Sequence, residues 1–207
     1  IAALGTRQHA FGSAAEEQPL GLLNEPGAGG LGPPGFLAHR AGQDWASLFL
    51  VTQVLTSGDG VQIICADAGT HIKVTHRISL SPVSDVLSIQ TEVQNSGDTG
   101  LSLDWCAACV LPLDPRAETL TGFTGRWAGE FQLEVIPPFT GSYVRENKSG
   151  RTSHDCFPSL LASMPSTGEH AGLCYGFHLG WSGNSRLRVD RLSDGRASVQ
   201  LGELFFP

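Results

Sequence analysis

The chain has 207 residues and a formal net charge of -7, with 13 Lys and Arg against 20 Asp and Glu and no run of basic residues. Nucleic acids and anionic membranes bind clustered positive charge, so this balance excludes both as expected partners. The longest apolar stretches have only the length of a strand, which excludes a transmembrane helix from the expected elements.

The segment of residues 12–42 is rich in Gly and Pro and predicts an irregular stretch laid over the rest of the fold. Within it, residues 27–32 match the G-x-G-x-x-G pattern of dinucleotide-binding proteins. Such a site needs a strand before the glycines and a helix N-terminus after them, because the pyrophosphate sits on that helix end. Glu25-Pro26 precedes the pattern and Pro33-Pro34-Gly35 follows it, so we reject a dinucleotide site.

Further along the chain, apolar and polar residues alternate with a period of two, which indicates half-buried antiparallel strands. Three apolar stripes follow this period, at residues 72–80, 101–111 and 173–181. The clearest hairpin joins residues 186–192 to 197–205 through Asp194-Gly195, a turn signal. No segment keeps a helical period. The sequence therefore predicts an all-β fold, a large antiparallel β-sandwich of two sheets.

The side chains that could bind a metal or react do not form a typical pattern. Cys106 and Cys109 have the spacing of a redox or zinc pair, but positions i and i+3 of a strand face opposite sides. The five cysteines are irregularly spaced, which favours reduced, buried thiols over disulfides. Ser153, His154 and Asp155 are adjacent and cannot converge as a catalytic triad. We expect no metal, no cofactor and a cytoplasmic location, with secretion as the alternative location.

The four tryptophans divide into two pairs. Trp105 and Trp181 occupy apolar stripes and are predicted to lie in the core. Trp45 and Trp127 lie near the edges of loops, where either ring could be exposed to solvent. Exposed rings that stack on sugars would favour a free-standing carbohydrate-binding module, which we keep as the alternative function.

Four stretches match, in order, patterns of a single protein family. They are E-P-G with H-R-x-G-x-D-W (residues 25–45), F-x-G-x-W-x-x-E (123–130), G-R-T-S-H-x-x-x-P (150–158) and Y-G-x-x-L-x-x-S-G-N (175–184). Each pattern is modest alone, but together they cover most of the chain. The sequence resembles the N-terminal domain of family 36 glycoside hydrolases, the α-galactosidase family.

This resemblance implies that residues 1–207 form a single N-terminal β-supersandwich domain. In the family, a (β/α)8 barrel and a small C-terminal β domain follow it. Such enzymes hydrolyse α-1,6-linked galactosides such as raffinose and melibiose with retention of configuration, using two aspartates of the barrel. The K-W-D motif that carries the nucleophile has no match in this chain. The catalytic barrel is therefore expected to be absent here, and we assign no catalytic residue.

The function that the resemblance implies is support of the barrel and of the oligomer of a glycosidase. The expected partners are the enzyme's own barrel and neighbouring subunits, with galactosides contacted only indirectly. Ordered polar loops on a rigid scaffold are where partner contacts concentrate, which points to residues 27–45 and 150–158. The interface or substrate-adjacent candidates, including the two tryptophans near loop edges, are Arg40, Asp44, Trp45, Trp127, Arg151, His154 and Asp155.

Overall fold

The computed structural model describes residues 21–30, 32–192 and 195–205, whose regular structure is almost entirely β. A 3-10 helix, Pro26–Ala28, precedes the strands. The strands are β1 Phe36–His39, β2 Leu50–Ser57, β3 Gly60–Asp67, β4 Ile72–Leu80, β5 Leu87–Asn95, β6 Ser102–Leu113, β7 Thr119–Arg126, β8 Gly129–Ile136, β9 Gly141–Asn147, β10 Ser159–Ser163, β11 Cys174–His178, β12 Ser185–Arg191 and β13 Ala197–Leu204. No helix in these ranges has the length and hydropathy of a membrane span.

The described residues form two compact units that divide within β6, between Cys109 and Val110. In the first unit, β2, β3, β4 and β5 form an antiparallel sheet in chain order, and β1 pairs with β6. Its core consists of buried apolar side chains, among them Leu23, Phe36, Ala38, Ile72, Val74 and Cys106. The ring of Phe49 meets Phe36 edge-on, with 5.1 Å between ring centroids.

The second unit contains an antiparallel sheet with the order β11-β10-β7-β8 and the antiparallel series β13-β12-β9. A continuous apolar cluster forms its core, with Leu113, Leu120, Ile136, Leu160, Leu187, Val189, Val199 and Leu201 among its members. The predicted all-β antiparallel sandwich is confirmed, and so is the hairpin, which is formed by β12 and β13. Residues 193 and 194 of its turn lie outside the described residues.

The apolar stripes had different outcomes in the two units. Trp105, on the stripe that forms β6, is 1% exposed, which confirms its place in the core. Trp181, on the stripe at 173–181, is 44% exposed, so its predicted burial is wrong. The reason is that β11 is a five-residue strand at the edge of its sheet, and only Phe177 and Leu179 of this stripe pack against the core. Trp181 lies beyond β11, in a loop.

All five cysteines are free, as predicted, but they are not all buried. Cys65, Cys106 and Cys109 are buried, whereas Cys156 is half-buried and Cys174 is exposed. Burial raises the pKa of Cys106 and of Cys109 to about 12, so both thiols stay protonated near neutral pH. A protonated thiol is neither a nucleophile nor a metal ligand, so the structure supports the packing role of this pair.

Candidate functional site

Arg40 joins three loops of the first unit. Its side chain is nearly buried and its guanidinium donates hydrogen bonds to the carbonyl oxygen of Thr99, to the carbonyl oxygen of Thr70 at 3.1 Å and to Asn95 Oδ1 at 2.7 Å. Both terminal nitrogens of the planar guanidinium therefore donate, to three acceptors that come from two different turns. The position of Arg40 is therefore that of a structural clamp for the loops around it.

Asp44 and Trp45 lie just beyond a tight turn that Arg40 begins. The backbone N–H groups of Arg40 and Gln43 each donate to the other residue's carbonyl oxygen, at 2.8 and 2.9 Å. Ala41 and Gly42 at the corner have φ of 49° and 82°, and Asp44 has φ of 56°. Asp44 Oδ2 stands 4.0 Å from Arg40 Nε and is half-exposed, and Trp45 is exposed. The turn thus presents an acid and an indole ring to solvent.

The glycine-rich segment packs tightly against the backbone that follows Trp45. Gly27 N–H donates to Ser47 O at 2.9 Å, and a Cβ at position 27 would lie 2.5 Å from both Ala46 O and Ser47 O. A side chain at Gly27 is therefore excluded by backbone atoms. This close approach explains the glycine without any nucleotide.

In the second unit, the loop of residues 150–158 is held by the chain segment around Asn184. Gly150 N–H donates to Asn184 Oδ1 at 2.7 Å, and Thr152 N–H donates to Ser182 O at 2.6 Å. Asn147 Nδ2 donates to the carbonyl oxygen of Arg151, which fixes the start of the loop. Two of the four stretches with family patterns are thus held together by backbone N–H groups of the loop, which donate to the Asn184 side chain and to the Ser182 carbonyl oxygen.

The three polar residues of this loop that the sequence predicts as contact residues differ in exposure and in their neighbours. Arg151 is exposed. His154 is exposed too, and its Nε2 lies 3.9 Å from Glu130 Oε1, an acid at the start of β8. The carbonyl oxygen of Asp155 accepts a hydrogen bond from Arg145 Nη2. A hydrogen bond from the Ser153 hydroxyl is the main cause that lowers the pKa of the Asp155 carboxyl, so this carboxyl is ionised near neutral pH.

Trp127 occupies the turn between β7 and β8 and is 85% exposed. The turn is closed by Ala128, whose φ is 61° and whose N–H donates to Glu130 Oε1 at 2.9 Å. Hydrogen bonds from the N–H groups of Glu130 itself and of Ala128 lower the pKa of the Glu130 carboxyl. The exposed indole ring therefore stands beside an ionised carboxylate on an ordered turn.

A group of four rings lies on one face of the β11-β10-β7-β8 sheet, and sequence reasoning missed it. The ring of Phe157 meets Phe131 edge-on at 5.0 Å and Phe123 at 6.4 Å, and it stacks on His178 at 5.3 Å. These residues come from three of the stretches that carry the family patterns or directly follow one. Their location in stretches with family patterns was the only sequence feature that could have predicted the cluster, because the spacing of the four residues along the chain does not relate them.

The structure thus arranges the predicted residues in two groups, Arg40 with Asp44 and Trp45 in the first unit, and Trp127 with the 150–158 loop in the second. The closest approach between the latter two is that of His154 Nε2 to Glu130 Oε1, at 3.9 Å. Within the described ranges, His, Cys, Asp and Glu side chains form no group of three or more that could hold a metal ion.

Comparison with known proteins supplies the family. Residues 5–205 match the family described as Glycosyl hydrolase family 36 N-terminal domain. An α-galactosidase of Escherichia coli is 32% identical over 194 residues, which cover 92% of this chain and 27% of that protein. The bifunctional α-galactosidase/sucrose kinase AgaSK of Mediterraneibacter gnavus is 26% identical over 148 residues, covering 70% of this chain and 16% of AgaSK.

Solved structures show the same fold at lower identity. The galactosidase domain of AgaSK superimposes with a TM-score of 0.78 at 20% identity, covering 86% of this chain and 27% of that one. The GH36 α-galactosidase AgaA A355E D548N of Geobacillus stearothermophilus in complex with raffinose gives 0.77 at 19% identity, covering 84% and 27%. This chain spans about a quarter or less of the length of these relatives. With a family match that runs almost from end to end, the chain belongs to the glycosyl hydrolase family 36 N-terminal domain family, the domain found in α-galactosidases.

Proposed function

We propose that this chain is the non-catalytic N-terminal domain of a retaining α-galactosidase-like glycoside hydrolase, in which it supports the catalytic barrel and the oligomer. The parent enzyme would hydrolyse α-1,6-galactosides such as raffinose and melibiose. The relative solved with raffinose supports this substrate class. The exposed polar side chains of the two loops, Arg151 and His154 among them, would contact the barrel or a neighbouring subunit.

The observation that carries the proposal is a set of apolar side chains exposed on ordered strands and turns of the second unit. Trp127, Phe131, Leu133 and Val135 are each more than half exposed, and they are close together in the β7–β8 hairpin. Contiguous exposed apolar surface of this kind marks sites of protein–protein interaction or ligand grooves. A domain that supports a larger enzyme needs such a surface.

Three acids of the second unit are each paired with an arginine, which supports a non-catalytic role for them. Retaining glycosidases need two carboxylates about 5 Å apart that flank one sugar pocket. Glu134 is paired with Arg145 at 2.9 Å, Glu146 with Arg186 at 2.6 Å and Asp190 with Arg188 at 3.0 Å. The Lys148 ammonium, followed by the Arg186 guanidinium, lowers the pKa of Glu146 despite its partial burial. Ion pairs of this kind hold the three carboxylates against the fold, and the lowered pKa of Glu146 keeps that carboxyl ionised at neutral pH, so it cannot act as a general acid there.

The purified chain is expected to release no 4-nitrophenol from 4-nitrophenyl α-galactoside, because the aspartates of the family's barrel are missing from it. In the parent enzyme, removal of this domain is expected to abolish turnover and assembly together. Turnover by the chain alone, after controls for host enzyme, would contradict the non-catalytic role. A parent enzyme that keeps its turnover and oligomer size without the domain would contradict the supporting role.

A second candidate function, a carbohydrate-binding module, is favoured by the exposed rings of Trp45 and Trp127. Sugar rings stack on exposed indole rings. The ionised Glu130 carboxylate in the same turn as Trp127 is an acceptor for a sugar hydroxyl. If this function holds, raffinose should give a saturable heat of binding that Trp127→Ala or Trp45→Ala removes. If the chain has only the supporting role, raffinose should give no saturable heat of binding. Trp181→Ala is the matched control, because under the binding-module function it should leave the heat of raffinose binding unchanged.

A further inference from the structure

A cluster of titratable side chains lies beside the loop of residues 150–158 in the second unit. It consists of Glu134 of β8, Tyr143 and Arg145 of β9, and Cys156 of the loop itself. Arg145 interacts with each of the other three, and its side chain is only 22% exposed. It lies outside the four stretches with family patterns, and the sequence gives no signal for a role of this residue.

The guanidinium of Arg145 joins the loop to the neighbouring sheet. Its Nη2 donates a hydrogen bond to the carbonyl oxygen of Asp155 in the loop. Its Nη1 donates to Glu134 Oε2 at 2.9 Å and lies 3.5 Å from the carbonyl oxygen of Phe123 in β7. One planar guanidinium therefore bonds a loop carbonyl and a strand side chain at the same time, which the single ammonium group of a lysine cannot do with the same geometry.

The Cys156 thiol is a second point of contact between Arg145 and the loop. Burial raises the pKa of this thiol, and the charge of the Arg145 guanidinium and a hydrogen bond from it oppose that rise. Arg145 therefore engages two consecutive residues of the loop, Asp155 through its carbonyl oxygen and Cys156 through its thiol.

Other groups hold the two ends of the loop. Near its start, Thr152 N–H donates to Ser182 O at 2.6 Å. At its end, the carbonyl oxygen of Pro158 accepts a hydrogen bond from Leu179 N–H at 3.0 Å. Arg145 acts between these two anchors, so it is the middle of the loop whose conformation it fixes.

We propose that Arg145 is a positioning residue for the 150–158 loop, which it holds in the conformation that presents His154 to the rest of the parent enzyme. The proposal deepens the proposed function and rests on it for the identity of the partner. Groups that are already ordered before binding give a higher affinity than groups that must be ordered by it. Arg145 would therefore raise the affinity for the partner through the loop.

The first test is alkylation of the purified chain with iodoacetamide, with the label on each cysteine measured by mass spectrometry. In Arg145→Met we expect Cys156 to react about ten- to a hundredfold faster, the factor that the loss of one hydrogen bond to a charged group gives. The direction is informative, because the thiolate is the reactive form and loss of a neighbouring positive charge disfavours it. A faster reaction therefore requires that the thiol becomes more accessible.

The other cysteines distinguish opening of the loop from unfolding of the chain. Cys174 is exposed and should react quickly in every variant. Cys106 and Cys109 are buried in β6, the strand that belongs to both units, and should react only when the chain unfolds. In Arg145→Met these two thiols should remain as slow as in the unaltered chain.

Arg188→Met is the matched control. Arg188 lies in β12 of the same unit, and its side chain is 24% exposed, close to the value for Arg145. It donates to Asp190 at 3.0 Å and to Ser142 Oγ at 2.8 Å, both outside the loop. The same truncation therefore removes an ion pair of similar burial elsewhere in the unit, and Cys156 should keep the rate of the unaltered chain.

An unchanged or slower reaction of Cys156 in Arg145→Met overturns the proposal, and so does an equal rise in Arg188→Met. If Arg145→Met does not fold, Arg145→Lys takes its place. A single ammonium group cannot bond Glu134 and the loop carbonyl together with the geometry of the guanidinium, so Cys156 should still react faster than in the unaltered chain. An unchanged rate in Arg145→Lys would then overturn the proposal.

The consequence for the parent enzyme is measured separately, as turnover of 4-nitrophenyl α-galactoside. Arg145→Met should lower turnover, whereas Glu134→Gln, which keeps an acceptor for Arg145, should retain it. If Cys156 reacts faster in the chain but the parent enzyme keeps its turnover, the positioning of the loop is supported and its contact role in the proposed function is contradicted. An unchanged Cys156 rate overturns the positioning role whatever the parent enzyme does.

Discussion

Replacement of Trp105 by alanine is expected to lower the free energy of unfolding by about 3–5 kcal/mol, the range measured for large buried aromatic residues. Trp105 lies in β6 and is among the largest fully buried side chains of the described residues. Its removal would leave a cavity that neighbouring side chains fill only in part. A loss of this size is a large share of a typical total of about 5–15 kcal/mol. Urea denaturation followed by circular dichroism measures it.

Trp127→Ala is the matched control, because the same truncation is made on a ring that is 85% exposed. Surface substitutions of this kind change the free energy of unfolding by about 0.5 kcal/mol or less. The contrast between the two tryptophans therefore measures burial rather than residue type. Similar losses for both variants, or a loss below about 1 kcal/mol for Trp105→Ala, would contradict the packing described for β6.

Acidification from pH 6.5 to pH 4 is expected to destabilise the chain by about 3 kcal/mol through His76 alone. His76 is buried in β4, where it lies opposite Ile63 of β3 and Thr91 of β5. The Thr91 hydroxyl donates to the carbonyl oxygen of Ala108, so Thr91 Oγ1 accepts a hydrogen bond from His76 Nδ1 at 2.8 Å. This arrangement fits the neutral imidazole.

The sign of the effect follows from the two pKa values. Burial lowers the pKa of His76 from 6.5 to about 4 in the folded chain. Between these values the unfolded chain binds a proton that the folded chain does not, so the free energy of unfolding falls as the pH falls. The stabilisation is complete above pH 6.5 and lost below about pH 4. One pKa unit corresponds to about 1.4 kcal/mol, which gives the total of about 3 kcal/mol.

The check is the difference in pH dependence between variants, since carboxylates titrate in the lower part of the same range. His76→Gln keeps a donor for Thr91 but cannot be protonated, so its stability should fall less steeply between pH 6.5 and 4 than that of the unaltered chain. His170→Gln, at an exposed histidine, should keep the steep fall. Equal slopes for His76→Gln and the unaltered chain would show that His76 does not titrate in this window.

Much of the fold could be predicted from local sequence. The alternation of Ile72, Val74 and His76 against Lys73 and Arg77 predicts β4, and these three residues are buried as expected. Leu80, the last member of the same stripe, is 49% exposed, so the prediction fails at that end of the strand. The hairpin of β12 and β13 also follows from alternation and a turn signal between the strands. These features depend on neighbours in sequence, because side chains alternate across a strand and tight turns need particular residues. The family patterns are local in the same sense.

The candidate site could be predicted only in part. The patterns pointed to the 150–158 loop and to Trp127, which lie in one unit, where His154 Nε2 comes within 3.9 Å of Glu130 Oε1. Arg40 stays a predicted contact residue, and the structure adds that its guanidinium donates to Thr70, Asn95 and Thr99, which lie 30 to 59 residues away in sequence. The ring contacts of Phe157 could not be predicted from spacing, and the only sequence signal for them was that the residues come from stretches with family patterns.

Trp105 and Trp181 show most clearly where local sequence stops being informative. Both lie on apolar stripes of period two, yet Trp105 is 1% exposed and Trp181 is 44% exposed. An alternating stripe indicates that one face of a strand is apolar, but it does not indicate whether another layer covers that face. Coverage depends on which strands become neighbours and which lie at an edge, as β8 and β11 do. That outcome is set by packing between residues far apart in the chain.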